Sequence, residues 1–120
     1  MATTEKVCSI HPYFEIHEGK VEKFKELCES CVATTRPEEG CLFYGFSFDG
    51  RNAHCREAYA DAAALLTHLE SIGPLLQELL QVADLKRLEV HGPEEELARL
   101  REPLAELAPQ FFVLECGFRA

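Results

Sequence analysis

The order in which two kinds of apolar repeat alternate constrains this chain more than any other feature. Apolar and aromatic side chains gather in short runs, several of them alternating at every second residue, which predicts strands at 6–16, 41–48, 53–59, 85–91 and 110–118. Between these runs apolar residues recur three and four apart, which predicts helices at 19–35, 62–72 and 93–107. The chain therefore combines strands and helices, and their order decides the fold class.

Turn and cap residues set the ends of these elements. Asp49-Gly50-Arg51-Asn52 predicts a tight hairpin turn, and Asp61 is a good N-cap for the second helix. Gly73-Pro74 predicts an interruption of that helix, with a fresh helical turn from 74 to 82. Pro103 predicts a break in the third helix for the same reason.

The first six elements run strand, helix, strand, strand, helix, strand, which matches the ferredoxin-like βαββαβ plan. An extra C-terminal helix and strand follow it. In this plan the helices cover one face of an antiparallel sheet, and we expect Phe, Tyr and Leu of the 41–59 hairpin on the other face. Because monomers rarely expose so much apolar sheet, the sequence predicts a homodimer.

Length and charge narrow the function. A chain of 120 residues predicts one domain over 1–120, with a core at about 6–91 and the C-terminal helix and strand at about 93–119. With 12 Lys and Arg against 21 Asp and Glu, the net charge of −9 argues against nucleic acid and anionic membrane surfaces as partners. No apolar run is long enough to span a membrane, and Met-Ala-Thr-Thr-Glu-Lys at the N-terminus lacks a signal core, so we expect a cytoplasmic protein.

Six cysteines raise the question of disulfides or a metal. A cytoplasmic location argues against disulfides. Cys28 and Cys31 form a C-x-x-C pair, but no second C-x-x-C or H-x3-H pair follows at zinc spacing. Both residues fall on the apolar stripe of the first helix. We therefore expect the cysteines to be small buried hydrophobic side chains that bind no metal.

Four stretches resemble motifs of a known family and occur in that family's order over residues 7–91. They are Glu18-Gly19-Lys20-x-x-x-Phe24, Thr35-Arg36-Pro37-Glu38-Glu39-Gly40-Cys41-Leu42-x-Tyr44, Glu57-x-Tyr59-x-Asp61 and Ala64-Leu65-x-x-His68-Leu69. The chain thereby resembles the antibiotic biosynthesis monooxygenase (ABM) domain of the dimeric α+β barrel superfamily. The resemblance implies a dimeric α/β barrel, a small-molecule ligand inside each subunit and, as in many members, no metal or flavin cofactor.

Two departures from the family pattern bear on the chemistry. The family's usual Trp on the third strand is Tyr59 here, and the chain contains no Trp. Relatives that cleave heme use a His late in the second helix, where this chain reads Ser71-Ile72-Gly73-Pro74. The resemblance therefore implies no heme ligation at the usual place. The tail from 93 to 120 exceeds the common family length and is expected to extend the sheet or clasp the partner subunit.

Strand parity and the resemblance together select the catalytic candidates Glu57, His68 and Tyr59. Cys55, Glu57 and Tyr59 share one side of a strand, and the resemblance turns that side into the barrel. There burial would raise the pKa of Glu57 into the range of a general base; the alternative is an ion pair or a hydrogen bond that fixes the strand. Tyr59 would donate to a substrate oxygen or serve as an aromatic wall. His68 would shuttle a proton or bond a backbone carbonyl.

Four further residues are expected to bind the substrate: Tyr44, His11, Tyr13 and Cys55. His11 and Tyr13 share one face of the first strand. Tyr44 shares a strand face with Phe46 and Phe48, and such a row is more typical of a packing layer or a dimer seam than of a cofactor site.

The sequence thus predicts a cofactor-independent monooxygenase that acts on a small aromatic or quinol-type molecule in the barrel cavity. Oxygen would react with a substrate carbanion, so the protein must supply a base and stabilise an enolate or phenolate. The alternatives are a non-catalytic ligand-binding or structural protein of this fold, and a non-oxidative isomerase. A cavity lined by Glu57, Tyr59 and His68 favours an enzyme, whereas one filled by Phe46 and Phe48 favours binding or structure.

Overall fold

Strands and helices alternate through residues 5–120, the part of the chain that the computed structural model describes. Residues 1–4 lie outside the described residues. They are part of the N-terminal stretch on which the expected cytoplasmic location depends. The elements are β1 (Cys8–Ile16), α1 (Val21–Thr35), β2 (Cys41–Asp49), β3 (Asn52–Tyr59), α2 (Ala62–Val82), β4 (Ala83–Gly92), α3 (Glu94–Leu97), a 3-10 turn (Ala105–Leu107) and β5 (Gln110–Val113). Within residues 5–120 no helix has the length and hydropathy to cross a membrane.

The strands join in a five-stranded sheet in the order β2-β3-β1-β4-β5. β1 pairs antiparallel with both β3 and β4, and β2 pairs antiparallel with β3 across the predicted hairpin. Gly50 closes this hairpin with a φ of 59°, which glycine adopts more easily than other residues. The order confirms the α+β, ferredoxin-like βαββαβ prediction. β5, the extra strand, runs parallel to β4 at the sheet edge.

α1 and α2 pack on one face of the sheet, which we call the helix face. Alternate side chains of β1, among them Ile10 and Phe14, are buried there. The apolar stripe of α1 is buried as predicted, and Phe24 packs its ring edge-on against Phe14. The apolar residues that alternate along β1 and the apolar stripe of α1 therefore pack together in the core, as the sequence predicts.

The cysteines are free thiols at all six positions. Cys28 and Cys31 are buried in the α1 stripe, where burial raises the pKa of the Cys28 thiol to about 12 and that of Cys31 to about 11. Both are therefore neutral at physiological pH, like small apolar side chains. The expected burial is wrong for Cys116, which is exposed near the C-terminus, and Cys41 is only half-buried.

α2 is one continuous helix of 21 residues, so the predicted interruption at Gly73-Pro74 is wrong. A proline inside a helix removes one backbone hydrogen bond and crowds the preceding turn. Here Leu65 and Ile72 before the proline and Leu79 after it are all buried against the core. Burying one apolar face on both sides of Pro74 offsets the local cost.

The C-terminal extension is less regular than predicted. α3 spans four residues instead of continuing to about 107, and β5 ends at Val113 instead of at about 118. Between them the chain runs through turns in which Leu100 and Leu104 are buried, in the same core cluster as Leu97 of α3. Pro103 lies in this stretch, where the sequence predicts the break. Apolar burial, more than helical hydrogen bonding, therefore holds the extension in place.

The aromatic row of β2 lies on the helix face, so the expectation that the hairpin's Phe and Tyr form an exposed apolar face is wrong for this row. Tyr44, Phe46 and Phe48 share that side, and Phe24 contacts the two Phe rings. Alternation along β2 puts Phe43 on the other side of the sheet, beside Arg56. That side, which we call the open face, is more polar than predicted and carries Ser9, His11, Tyr13, Phe43, His54, Arg56 and His91.

Candidate active site

Glu57 projects from β3 toward the helix face and is only 5% exposed. The period-two alternation of β3 puts it on the same side as Cys55 and Tyr59, as the sequence predicts. The Tyr59 hydroxyl donates a hydrogen bond of 2.6 Å to Oε1 of Glu57. A carboxyl group that is buried among apolar side chains and held by a phenol is positioned for chemistry or for structure, and its other neighbours decide between them.

His68 approaches this carboxyl group from α2. Its ring packs against those of Tyr44 and Tyr59, with centroids 5.3 Å and 4.9 Å away. Nε2 lies 3.4 Å from Oε1 of Glu57. On the other edge of the ring, Nδ1 lies 3.2 Å from each carboxylate oxygen of Glu38. The imidazole therefore sits between two carboxyl groups.

Burial shifts the pKa values of Glu57 and His68 in opposite directions. It raises the pKa of Glu57 from 4.5 to about 7; hydrogen bonds from Tyr59 and Cys55 oppose the rise, and the charge of Glu38 adds to it. Burial lowers the pKa of His68, while the adjacent Glu38 carboxylate acts in the opposite direction. The raised pKa of Glu57 suits a carboxyl group that accepts and releases a proton near neutral pH, with the imidazole of His68 beside it.

The hydroxyl and thiol groups around the pair stay protonated. Burial and the charge of Glu57 raise the pKa of Tyr59, and burial is the main cause of the raised pKa values of Tyr44 and Cys55. These side chains are therefore neutral and can donate hydrogen bonds at physiological pH. None of the three is an ionised nucleophile or base.

A cavity of about 50 Å³ lies between the sheet and α2, with Glu57 and His68 in its wall. Its other lining residues are mostly apolar: Ile10, Pro12, Phe14, Tyr44, Phe46, Cys55, Leu69, Ile72, Leu76, Leu79, Leu85, Leu88 and Leu107. Phe46 stands in the wall and Phe48 does not line it, so the aromatic row of β2 does not fill the cavity. A buried acid–base pair at the wall of an apolar cavity is the usual form of a small-molecule site.

The predicted site residues fall on two sides of the sheet. Glu57, His68, Tyr44 and Cys55 line the cavity, while Tyr59 is fully buried behind Glu57 and holds its carboxyl group. His11 and Tyr13 lie apart from them, on the open face with His54, where the ring centroids of Tyr13 and His54 are 4.6 Å apart. The parity of β1 already separates these two residues from the buried ones.

Sequence reasoning missed Glu38 as a member of the site. It lies in the loop between α1 and β2, thirty positions before His68, and no periodicity brings the two together. Its signal in the sequence is the motif Arg36-Pro37-Glu38-Glu39-Gly40, in which it occupies the family's glutamate position. Ser71, one turn after His68, donates a hydrogen bond of 2.9 Å to Oε2 of Glu38.

The C-terminal extension contributes to the same site. Leu107, in the 3-10 turn, lines the cavity. Glu96 of α3 is 6% exposed, and its Oε1 accepts a hydrogen bond of 2.9 Å from the N–H of Ala62 at the start of α2. The extension therefore both supports the helix that carries His68 and forms part of the cavity wall.

No cluster of three or more His, Cys, Asp or Glu side chains within residues 5–120 is arranged to hold a metal ion. The described side chains that meet at the cavity are instead the acid–base pair and its hydrogen-bonding partners. The chemistry that this chain's own residues can supply at the cavity is proton transfer.

Comparison with known proteins agrees with this fold. The model of the antibiotic biosynthesis monooxygenase family matches residues 9–73, which include β1 except its first residue, α1, the hairpin and about the first half of α2. The chain belongs to the antibiotic biosynthesis monooxygenase family. Glu38, Glu57 and His68 all fall inside the part that matches the ABM model. No curated protein sequence is significantly similar to the chain.

Solved structures resemble this ABM protein to different extents. The crystal structure of MupZ from Pseudomonas fluorescens has 50% sequence identity over 97% of this chain and 96% of that chain, with a TM-score of 0.92. A conserved protein from Methanosarcina mazei Go1 has 23% identity over 71% of this chain and 88% of its own, with a TM-score of 0.64. Rv0793 from Mycobacterium tuberculosis has 21% identity over 73% and 95%, also with a TM-score of 0.64. The last two show the shared fold alone.

Proposed function

We propose that this protein is an enzyme that uses Glu57 as a general base on a small molecule bound in the cavity. The observation that carries the proposal is the position of the Glu57 carboxyl group, which is buried at the cavity wall, bonded to Tyr59 and 3.4 Å from His68. Its pKa of about 7 suits a base that works at neutral pH.

The cavity selects a neutral, apolar ligand. Within residues 5–120 its lining contains no Lys or Arg to offset an anionic group, and its aliphatic and aromatic side chains suit an apolar body. At about 50 Å³ the cavity is smaller than the engineered cavity of about 150 Å³ that admits benzene. A ring-sized substrate such as a quinol therefore requires the leucine side chains of the wall to move aside on binding.

The reaction that we propose first is a cofactor-independent monooxygenation of a phenol or quinol, as the family name implies. Glu57 accepts a proton from the substrate, and the resulting carbanion reacts with O2. Oxygen bonds to the ring carbon, the O–O bond then breaks with loss of the C–H proton, and one oxygen atom stays as a quinone carbonyl while the other leaves as water. The electrons come from the substrate's own O–H and C–H bonds as the phenol becomes a quinone. Burial of the cavity shields the anion from bulk water while it reacts.

A non-oxidative isomerase is the second candidate, and the Glu57–His68 pair specifically favours it. Two groups that share a proton can remove it from one atom of the substrate and return it to another without any co-reactant. Oxygen consumption separates the two candidates, because only the monooxygenase requires it. Formation of a product isomeric with the substrate under anaerobic conditions would identify the isomerase.

The test is oxygen uptake, with product analysis, on a panel of hydroquinones and dihydroxy-aromatic compounds. Glu57→Gln should lower turnover by about two to four orders of magnitude, since a positioned base is worth that much, and should leave the fold intact. Glu39→Gln, in the exposed part of the α1–β2 loop, is the matched control and should keep wild-type turnover. Full activity in Glu57→Gln would rule out the proposal, and binding without turnover in the wild type would indicate a ligand-binding protein.

We further propose that the protein is a cytoplasmic homodimer that buries the open face of the sheet. Exposed aromatic groups on that face, Tyr13 at 37% and Phe43 at 42%, support a partner surface. A second copy of this chain is the occupant that the family's barrel architecture implies.

A further inference from the structure

We propose that Glu38 is a positioning residue of this site, which fixes His68 in the tautomer that carries its proton on Nδ1 and so presents a free Nε2 to Glu57. The proposal rests on the proposed function, because it assigns the group with which the buried base exchanges its proton. Nothing in the family name or in the comparisons gives Glu38 a role.

The contact between Glu38 and the imidazole determines which ring nitrogen is protonated. Both carboxylate oxygens of Glu38 lie 3.2 Å from Nδ1 of His68. An ionised carboxylate only accepts hydrogen bonds, so the nitrogen that faces it must be the donor. A neutral imidazole carries a single N–H, and Nε2, 3.4 Å from Oε1 of Glu57, is thereby left as an acceptor.

The loop that carries Glu38 is held rigidly against α2. The backbone carbonyl of Glu38 accepts a hydrogen bond of 3.2 Å from the N–H of Cys41. The Ser71 hydroxyl of α2 donates a hydrogen bond to the Glu38 carboxylate. Gly40 packs so closely on the helix that a Cβ atom at this position would lie 2.5 Å from Cβ of Ala64. The glycine is therefore required for the close approach that puts the carboxylate of Glu38 within reach of His68.

The remaining titratable groups around the ring leave this assignment unchanged. Tyr44 and Tyr59 contact its faces, and both are neutral because burial raises their pKa values. Glu57 faces Nε2 and Glu38 faces Nδ1, so the two carboxyl groups flank opposite edges of one imidazole. An imidazolium formed here would be stabilised by charge on both sides.

The proton can be followed through the site. A substrate X–H bond breaks, its electron pair stays on X, and Glu57 gains the proton. The Glu57 O–H then passes the proton to Nε2 of His68, which becomes an imidazolium between two carboxylates. On the return step Nε2 gives the proton back to Glu57, which delivers it to the product or to a leaving oxygen. Through both steps the Nδ1 proton stays on the ring and donates to Glu38.

The experiment measures the ring nitrogens of His68 by 15N NMR between pH 5 and 9, without substrate. The wild-type neutral ring should be the Nδ1–H tautomer, with Nε2 unprotonated. In Glu38→Gln the midpoint at which the Glu57–His68 pair takes up its first proton should fall by about one pH unit, because the flanking charge is gone. Glu39→Gln, the neighbouring exposed carboxylate, should leave both the tautomer and the midpoint unchanged.

A wild-type ring with its proton on Nε2 would overturn the proposal, and so would an unchanged midpoint in Glu38→Gln. If that variant does not fold, the wild-type tautomer still decides, and Ser71→Ala, which removes only the hydroxyl hydrogen bond to Glu38, serves as a second variant that should keep the Nδ1–H form. These readouts need no turnover. An Nδ1–H tautomer together with full activity in Glu57→Gln would therefore overturn the proposed function while leaving the tautomer assignment in place.

Discussion

The ionisation of Glu57 has an energetic cost that depends on pH. Its pKa in the folded protein is about 7, above the 4.5 of an exposed glutamate, so the folded state holds this proton more tightly than the unfolded state does. The free energy of unfolding that this carboxyl group contributes is therefore highest below pH 4.5 and is lost as the pH rises through 7. Glutamine at this position has no proton to lose.

Glu57→Gln should accordingly gain stability relative to the wild type as the pH rises. The difference in unfolding free energy between the two proteins should shift in favour of the variant by up to about 3 kcal/mol between pH 4.5 and 8. Urea denaturation of both proteins at pH 5 and pH 8 measures this; a difference that does not change with pH would show that Glu57 ionises as an exposed carboxyl group does.

At the residue scale, the alternation of side chains along the strands predicts more of the site than residue type alone. The alternation of β3 places Glu57, Cys55 and Tyr59 on one buried side, and the structure confirms that side. The hydrogen bond between Glu57 and Tyr59 follows from their spacing of two residues. Glu38 was not predicted as a site residue because it contacts His68 from a loop. Loop positions have no periodicity from which such a contact can be predicted.

At the scale of elements, α2 is held at its start by two acidic side chains. Asp61 is the predicted N-cap, and its Oδ1 accepts from the N–H of Ala64 at 2.8 Å. Glu96 of the C-terminal extension accepts from the N–H of Ala62. These bonds satisfy N–H groups that have no partner within the helix.

Glu96→Ala should therefore destabilise the protein by about 1 to 3 kcal/mol, because it leaves the buried N–H of Ala62 without an acceptor. Glu95→Ala is the control: it removes an exposed neighbouring carboxylate and should change the unfolding free energy by less than about 0.5 kcal/mol. Thermal denaturation of the two variants at pH 7 measures both. Equal effects would mean that α3 does not support α2.

The cavity wall offers a second element-scale prediction. Leu107→Ala should enlarge the cavity and tighten the binding of hydroquinone-sized ligands, which can be followed by NMR titration. Leu104→Ala removes a buried leucine of the same extension that does not line the cavity, so it should cost about 2 to 5 kcal/mol of stability without improving binding. If only Leu104→Ala improved ligand binding, Leu104 and not Leu107 would line the cavity that binds the ligand.

Element order was predictable here because each element has its own period, whereas element ends were not. Gly73-Pro74 reads as a stop in isolation, but α2 continues because the side chains on both sides of it bury one continuous face. The prediction of a C-terminal helix to about residue 107 is wrong for the opposite reason. Its acidic start favours a helix, yet the leucines that follow are buried by turns that fit the end of the sheet.

At the scale of the whole molecule, the two faces of the sheet have different roles. The helix face encloses the candidate site, and the open face carries His11, His54 and Tyr13 in ring contact. The sequence predicted an uncovered face but assigned the wrong aromatic row to it. Alternation shows that Tyr44, Phe46 and Phe48 share a side of β2, but it does not show which side the helices cover.

Light scattering tests the dimer. The wild type should have twice the 13.5 kDa of a single chain at micromolar concentration, and Tyr13→Asp on the open face should move it toward the monomer mass. Phe118→Asp, a change at a residue that is 91% exposed near the C-terminus, is the control and should leave the mass unchanged. A monomeric wild type would contradict an interface on the open face.

The central claim is that Glu57 is a buried base tuned to neutral pH, and its carboxyl carbon reports this directly. We would label the glutamates with 13C at the side-chain carboxyl carbon, assign the Glu57 signal by its loss in Glu57→Gln, and follow its chemical shift from pH 3 to 9. The account predicts a midpoint near pH 7, in line with the pKa of about 7 that burial gives this group. A midpoint near pH 4.5, where exposed glutamates titrate, would contradict it.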